Sequence, residues 1–383
     1  MRILIATATA GGGHLAAAAA LEESWHALRP DDEMKTVDLV DFFSPLHRKI
    51  HADGYVKLVE HAPEIWGMVF GKTDNPQVAR RLHDFKRVFP SKSRSKFTAF
   101  INDFAPDAVV CTHYAALDIL GGMEPRTHGR AKKTARRPHV TSVVTDFEAH
   151  ALWMEPSVNL YCVAAEETRA RMLARGAKPE NVVATGIPIA SKFSSDPVAK
   201  EVRKKLGLRD DQPVMLVLGG GFGMGPVAEI LTELDKISTP FQTVVVAGRN
   251  LELRQALAVC DRKHPTHVLG FAGNMHELMA VADLIITKPG GLTTSEALAM
   301  GRPLLIINPI PGQEAANSDF LLERGAAAKV NRVEDLPYRL GQLLGSSKLA
   351  QMARAAKALG RPLAARSICE EVSRRAELVA CSY

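Results

Sequence analysis

The feature that most constrains this chain is a series of short apolar runs without internal alternation, each leading into a turn and then a helical stretch. The runs are Arg2–Ala8, Asp107–Thr112, Val140–Thr145, Leu160–Ala164, Val182–Thr185, Val214–Leu218, Thr243–Ala247, Leu284–Thr287 and Leu304–Ile307. A strand with one wet face alternates apolar and polar residues. An unbroken run marks a strand covered on both faces, as in a parallel sheet. Helical stretches fall between the runs, over His14–Leu28, Glu166–Arg175, Pro226–Lys236, Leu251–Cys260, Met275–Val281, Thr293–Met300 and Ala315–Arg324. Strands alternating with helices predict an α/β architecture.

The pattern then restarts. Ser191–Asp211 is polar and charged, and after Pro213 a new strand meets a new glycine-rich turn. A chain of 383 residues exceeds one ordinary core. Two Rossmann-like domains are therefore predicted, 1–192 and 193–360, facing each other across a cleft. Ligands of open α/β sheets bind at the carboxyl ends of the strands, so the cleft is the expected site. Residues 361–383 read as an amphipathic helix, a candidate to pack back on the first domain.

Hydrophobic residues at 46% and charged residues at 23% suit a soluble globular protein and exclude a disordered or fibrous one. No apolar run approaches the roughly 18 residues a membrane-spanning helix needs. The N-terminus enters a strand at once, leaving no room for a secretory leader. Five cysteines (Cys111, Cys162, Cys260, Cys369 and Cys381) are widely spaced, without zinc-ligand spacing, which reads as reduced cytosolic thiols. The net charge of +6 is concentrated locally. Lys72, Arg80, Arg81, Lys86, Arg87, Lys92, Arg94 and Lys96 face only Asp74 and Asp84, and Arg126–Arg137 holds six basic residues and no acidic one. Such patches attract phosphates of nucleic acid or anionic lipid. No nucleic-acid recognition motif accompanies them, which disfavours nucleic acid as a partner.

Three glycine-rich turns carry the chemistry. Gly11-Gly12-Gly13-His14 follows the first strand, where glycines let backbone N–H groups approach a ligand and the next helix opens with its positive end. A helix N-terminus disfavours imidazolium, so His14 is a candidate proton acceptor. The second turn, Gly219-Gly220-Gly221-Phe222-Gly223-Met224-Gly225, has five glycines in seven residues. A phosphate cradle explains that conformational cost, and the lack of a following Gly-Lys-Ser/Thr separates it from an ATP-type loop. The third, Lys288-Pro289-Gly290-Gly291-Leu292-Thr293-Thr294-Ser295-Glu296, places Gly290, Gly291 and Thr293 at a helix start. Glu296 lies one turn on, where a carboxylate can accept both ribose hydroxyls or close a capping box. Gln313, Glu314 and Asn317 cluster at another helix start, with groups that bind sugar hydroxyls.

Seven motifs in order resemble the family of monogalactosyldiacylglycerol synthases and bacterial diacylglycerol glucosyltransferases. They are Gly11–His14 with its Ala-rich helix, Thr112-His113, Thr145-Asp146-Phe147 with His150 and Trp153, Gly186-Ile187-Pro188-Ile189 with Phe193, the Gly219–Gly225 loop, Pro289–Glu296, and Pro311-Gly312-Gln313-Glu314 with Asn317. The family is related to the peptidoglycan N-acetylglucosaminyltransferase acting on lipid I, and the likeness spans residues 3–330. It implies a GT-B fold, a UDP-sugar donor held mainly by the second domain, inversion at the anomeric carbon, and lipid entry through the first domain. By resemblance Phe271 and Met275 lie near the uracil, Gly290, Gly291 and Thr293 face the diphosphate, Glu296 binds the ribose, and Gln313 and Glu314 face the transferred sugar. Tyr114 stands where the family often has proline, and the stretch to Val140 is particular to this chain.

The expected reaction is transfer of glucose or galactose from a UDP-sugar to diacylglycerol or a related lipid, by a cytoplasmic protein peripheral on the inner face of the cell membrane. The base candidates are His14 and then Asp146, which ends a strand. Helix N-termini and the glycine loops, with Gly219, Gly220, Gly221 and Gly223 on the donor side, stabilise the leaving diphosphate. No Asp-x-Asp motif is present, so neither a metal nor a cofactor is expected. Gly12, Gly13, His113 and Trp153 are acceptor candidates, with His113 and Trp153 equally readable as structural. The segment Ile65-Trp66-Gly67-Met68-Val69-Phe70, with Trp66 and Phe70 as the lipid candidates and Phe85, Val88 and Phe89 among basic residues, suits an element lying in an anionic membrane surface, or a core face with charges outside. The alternatives are a UDP-N-acetylglucosamine transferase using a polyprenyl-linked acceptor, and a nucleotide-binding protein without transferase activity. A dehydrogenase would want G-x-G-x-x-G and an acidic residue about 20 positions on, which the first turn lacks.

Overall fold

The computed structural model describes residues 1–9, 12–44, 62–75, 77–79, 91–123, 137–195, 199–220 and 225–381. Gly221, Gly223, Phe85, Val88, Phe89, four of the eight basic residues between Lys72 and Lys96, and residues 126–136 of the second basic stretch lie outside the described residues. The chain forms two compact units, Met1–Ser191 with Leu363–Tyr383, and Lys192–Pro362.

The first unit is built on a six-stranded parallel sheet of β1 (Arg2–Thr7), β2 (Glu33–Asp38), β3 (Ala108–Cys111), β4 (His139–Val143), β5 (Leu160–Val163) and β6 (Val182–Ala184), in the order β2-β1-β3-β4-β5-β6. Side chains alternate across it. Leu4 and Ala6 join one core with Val109 and Leu117, while Ile3 and Ile5 join the opposite core with Val110 and Val143. The second unit repeats the design with β7 (Val214–Leu218), β8 (Gln242–Val246), β9 (Thr266–Leu269), β10 (Leu284–Thr287), β11 (Leu304–Ile307) and β12 (Ala327–Val330), ordered β12-β11-β10-β7-β8-β9. Both sheets are doubly wound, and the chain changes direction between β1 and β3 in one and between β7 and β10 in the other.

The two reversal points share a device at their amino ends. Asp107 donates its amide to the Arg2 carbonyl at 2.8 Å and accepts the Arg2 amide on its carboxylate at 2.9 Å. Asp283 does the same to Val214, at 2.9 and 2.8 Å. Each aspartate satisfies a strand-end amide and fixes the register of the two strands between which the ligand crevice opens.

Three strands escaped the apolar pattern: β2, β9 and β12. All are edge strands. β9 has no fully buried residue, and β2 carries Glu33, Lys35 and Thr36 exposed. An edge strand with wet surface needs no continuous apolar run, so its sequence reads as loop.

The C-terminal helix α14 (Ala364–Cys381) belongs to the first unit. Its Ile368, Cys369, Val372 and Ala376 pack with Ala18, Leu21 and Trp25 of α1 (Gly12–Leu28). Arg29 bonds Ser373 at 2.9 Å and Glu377 at 2.6 Å, and Arg375 donates to the Glu180 carbonyl at 2.9 Å. Ile368 has no solvent exposure. Ile368→Ala is expected to destabilise the first unit by about 2–5 kcal/mol, read as a lowered calorimetric transition, whereas Arg366→Ala on the exposed face leaves the transition within about 0.5 kcal/mol of wild type.

Candidate functional site

In the first unit, the turn after β1 is tied to the end of β2. Asp38 accepts the Thr9 amide at 3.1 Å and the Val40 amide at 2.9 Å, and also bonds the Thr9 hydroxyl. The chain then enters α1 at Gly12, with Gly12 exposed and Gly13 half-buried at its first turn. His14 reaches from that turn to the end of β3. Its Nδ1 lies 2.8 Å from the Thr112 carbonyl, which can only accept, so Nδ1 carries the proton. The lone pair therefore sits on Nε2. Thr112 returns a hydroxyl bond to the His14 carbonyl at 3.1 Å, and the Thr145 hydroxyl lies 3.1 Å from Nδ1.

Burial lowers the His14 pKa, against the Asp146 charge and the Thr112 bond, which raise it. A neutral imidazole with its free nitrogen fixed by the other is the form a general base requires. Asp146 is thereby placed close enough to act on His14 electrostatically. Thr112 and Thr145 were the positioning groups that residue type alone did not single out. Their signal was position, each at the end of a run adjoining the first strand or its neighbour.

His113 is buried and caps α4 (Tyr114–Gly121) once the helices Pro63–Thr73 (α2) and Ser91–Phe104 (α3) are counted. Its Nδ1 accepts the Ala115 amide at 3.1 Å, and its ring meets His14 edge-on at 4.7 Å. Trp153 is 4% exposed and packs in the core against Tyr114. Trp66 and Phe70 are half-buried on the inner side of α2, with Phe70 4.4 Å from the His150 ring. The exposed apolar residues of α2 are instead Ile65, Met68 and Val69. At helical spacing these form the outward side, which a count of aromatic residues had not separated from the inward one.

In the second unit the carboxyl ends of β7 and β10 bring two glycine turns together. Gly219 donates to the Val246 carbonyl at 3.1 Å, and Gly220 has φ +77°. After β10, Lys288 and Pro289 lead to Gly290 and to the helix Gly291–Ala299. Asn317 donates to the Pro289 carbonyl at 3.0 Å and holds that turn. Thr293 is half-buried in the first helical turn. Glu296 follows on the same helix, and its carboxyl makes no hydrogen bond to a described residue. Burial pushes its carboxyl up to about 7, opposed by the charge of Lys192. Lys192 itself donates to the Gly273 carbonyl at 2.9 Å, so it ties the turn ahead of the helix Met275–Val281, which Met275 opens, to the surroundings of Glu296.

Phe271, after β9, is 65% exposed, with the Arg249 guanidinium 5.3 Å from its ring. Gln313 and Glu314 open the helix Gln313–Glu323. Glu314 accepts the Ile310 amide at 2.8 Å, and its other oxygen would lie 3.9 Å from a Cβ placed on Gly290. Glu314 and the Gly290 turn are thus neighbours at the carboxyl edge of the sheet. No three His, Cys, Asp or Glu side chains converge to hold a metal among the described residues.

Doubly wound halves of this kind recur in solved structures. Acinetobacter baumannii MurG aligns with a TM-score of 0.59 at 17% identity, over 97% of this chain and 99% of that one. The UDP-GlcNAc 2-epimerase from Neisseria meningitidis bound to UDP-GlcNAc aligns with a TM-score of 0.61 at 16% identity, over 98% and 100%. The fold is GT-B, two Rossmann-like domains in one chain, and the protein is a glycosyltransferase. Residues 14–189 match the monogalactosyldiacylglycerol (MGDG) synthase family and residues 214–368 the glycosyltransferase family 28 C-terminal domain, and the chain belongs to the family that joins these two domains. Among curated relatives, the processive diacylglycerol beta-glucosyltransferases of Bacillus pumilus (strain SAFR-032) and Bacillus subtilis (strain 168) are each 28% identical, over 99% of this chain and 96% of their own length.

Replacing His14 by Ala is expected to lower kcat by about 10²–10⁴-fold while leaving nucleotide affinity nearly unchanged. Because burial holds His14 below the ordinary imidazole range, the acid limb of the wild-type pH–rate profile falls below that range, and the variant lacks it. Steady-state rates across pH, with calorimetric nucleotide titration, check both. A loss of nucleotide binding in the variant would move His14 to the donor side.

Proposed function

We propose that this protein transfers a hexose, glucose or galactose, from a UDP-sugar to diacylglycerol or a related lipid at a membrane surface, with inversion and without a metal. The observation that carries the reading is Glu296. It is a largely desolvated carboxyl without a hydrogen-bond partner among the described residues, one turn beyond a glycine helix start at the reversal point of a doubly wound sheet. Burying such a group without partners is unfavourable, and a pair of ribose hydroxyls supplies the missing donors. The glycine turns then take the diphosphate, and Gln313 with Glu314 the transferred sugar. The relatives' name supports diacylglycerol as acceptor and glucose as the sugar. Anabaena HepE, solved with UDP and glucose, shares the fold with a TM-score of 0.54 at 14% identity over 98% of this chain and 100% of its own.

On the acceptor side, neutral His14 takes the acceptor hydroxyl proton on Nε2 as the oxygen attacks the anomeric carbon. Asp146 stabilises the imidazolium that forms. No helix among the described residues is long and apolar enough to cross a membrane. Contact with lipid falls instead to α2, whose Ile65, Met68 and Val69 face outward beside Lys72.

The test is incubation with UDP-glucose, UDP-galactose and UDP-N-acetylglucosamine and vesicles containing diacylglycerol and anionic phospholipid, followed by mass analysis of the lipid. A hexosyl diacylglycerol is expected, and Ile65→Ser/Met68→Ser/Val69→Ser is expected to sediment less with the vesicles. Absence of any glycolipid with every donor would end the assignment.

A second outcome follows from Glu296. Ribose hydroxyls donate to its charged form, so binding lowers a carboxyl pKa that starts at about 7 and releases a proton. UDP affinity is therefore present above pH 7 and weakens on acidification below it, by at most about tenfold per pH unit. Calorimetry in buffers of differing ionisation enthalpy measures the released proton, and Glu296→Gln removes it.

A further inference from the structure

Lys288 was read in the sequence only as the residue ahead of a proline-glycine turn. It follows β10 directly, at the reversal point of the second sheet. Its aliphatic stem runs toward the other glycine turn, and a Cβ placed on Gly225 would lie 3.8 Å from the Lys288 Cε. Gly225 has φ +144°, a conformation that side-chain-bearing residues rarely adopt, so glycine is required there on backbone grounds as well. The end of the Lys288 stem thus lies beside Gly225, which leads from β7 into its helix, while Lys288 itself opens the turn after β10.

The side chain is half-buried, yet Nζ makes no ion pair or hydrogen bond with a described residue. Four other lysines of this unit are engaged, whereas Lys329, also half-buried, lies on the edge strand β12 and away from this turn. Lys192 bonds the Gly273 carbonyl, Lys236 pairs with Glu233 at 2.5 Å, Lys205 with Glu277 at 3.5 Å, and Lys357 reaches the Ala299 carbonyl at 3.4 Å. Glu314, the acid beside Gly290, accepts the Ile310 amide of its own loop. A half-buried ammonium without an anion among the described residues, beside the helix start at Gly290–Gly291, is a cation awaiting one.

We infer that Lys288 contacts the diphosphate of the bound nucleotide and carries the charge that builds on it as it leaves. The inference rests on the UDP-sugar reading above. In the transfer step the acceptor oxygen forms its bond to the anomeric carbon and its proton passes to His14. The bond from that carbon to the terminal phosphate oxygen breaks, and the electron pair stays on the phosphate. The leaving group gains one negative charge, so an ammonium fixed beside it interacts more strongly in the transition state than in the ground state. Lys288 would supply what a bound divalent cation supplies elsewhere.

The test compares wild type with Lys288→Met, which keeps the stem and removes the charge, and Lys288→Arg, which keeps the charge. Uridine and UDP are titrated calorimetrically, and transfer rates are measured. Lys288→Met is expected to bind uridine as wild type does, to bind UDP about 10–100-fold more weakly, and to lose at least as much in kcat, with Lys288→Arg recovering part of both. Should Lys288→Met fail to fold, labelling answers in its place. Reductive methylation of wild-type Lys288, mapped by mass spectrometry, is expected to be blocked by UDP and not by uridine. UDP affinity unchanged in Lys288→Met, or methylation indifferent to UDP, overturns the lysine assignment alone. Wild type that binds neither uridine nor UDP overturns the donor reading together with it.

Discussion

In a doubly wound parallel sheet every strand points the same way, so all the loops that follow strands collect at one edge. Where the chain reverses direction, two adjacent strands send their following helices to opposite faces, and a crevice opens between them. Helix N-termini at that edge carry amides without intrahelical partners. The site follows from this constraint in both units of the chain. Between β1 and β3 the crevice is occupied by His14, Thr112 and Thr145, and between β7 and β10 by two glycine turns, Lys288 and Glu296. The opposite ends of the same strands are closed by Asp107 and Asp283, which bond the strand-start amides and leave the carboxyl edge as the place for ligands.

Each unit furnishes the crevice of its own sheet, and the two sets of groups are chemically complementary. The first keeps few glycines and directs one imidazole at the end of the neighbouring strand, with its tautomer fixed by a backbone carbonyl. Burial keeps His14 neutral, while the Asp146 charge and the Thr112 carbonyl favour the cation once a proton arrives. The second unit gives up side chains around its turns and leaves amides, an ammonium and a desolvated carboxyl. Amides and an ammonium suit an anion, and a carboxylate suits hydroxyls. On the proposed reading these are a base for an acceptor and a cradle for a charged leaving group, the two halves of a group transfer.

How much of this was legible depended on burial. Central strands announced themselves because both faces are covered: β1, β3, β7, β10 and β11 are nearly all apolar. The edge strands β2, β9 and β12 did not, since a partly wet strand is free to carry Glu33, His267 or Lys329. Glycine turns and His14 could be placed because backbone requirements limit which residues fit there. The partners that set His14, a hydroxyl and a carbonyl from β3 and a hydroxyl after β4, are contacts across 98 and 131 residues of sequence. Nothing in local pattern reports such a contact. Lys288 was hidden for a different reason. An ammonium on a loop is ordinary, and only the close approach of Gly225 and the lack of a counter-ion distinguish it.

The acceptor side adds a mechanical requirement. A helix that meets lipid exposes apolar side chains to water whenever it is off the membrane, and something must hold it in place at that cost. In α2 the holding is done at the C-terminal end. Asp74 grips Arg175 through two bonds of 2.7 and 2.8 Å and accepts the Ala151 amide at 2.8 Å. Burial alone would raise the Asp74 pKa, but these partners hold it below the usual carboxylate range. His150 accepts the Leu152 amide on Nδ1, so its Nε2 bears the proton and donates it at 3.0 Å to the Phe70 carbonyl, which also accepts the Asp74 amide closing the helix. Burial lowers the His150 pKa, which keeps that single-proton form. The outward residues Ile65, Met68 and Val69 are thereby mounted on a fixed stem rather than on a loop, and the polar clasp beneath them does the work that apolar packing does on the inner side, where Phe70 lies on His150.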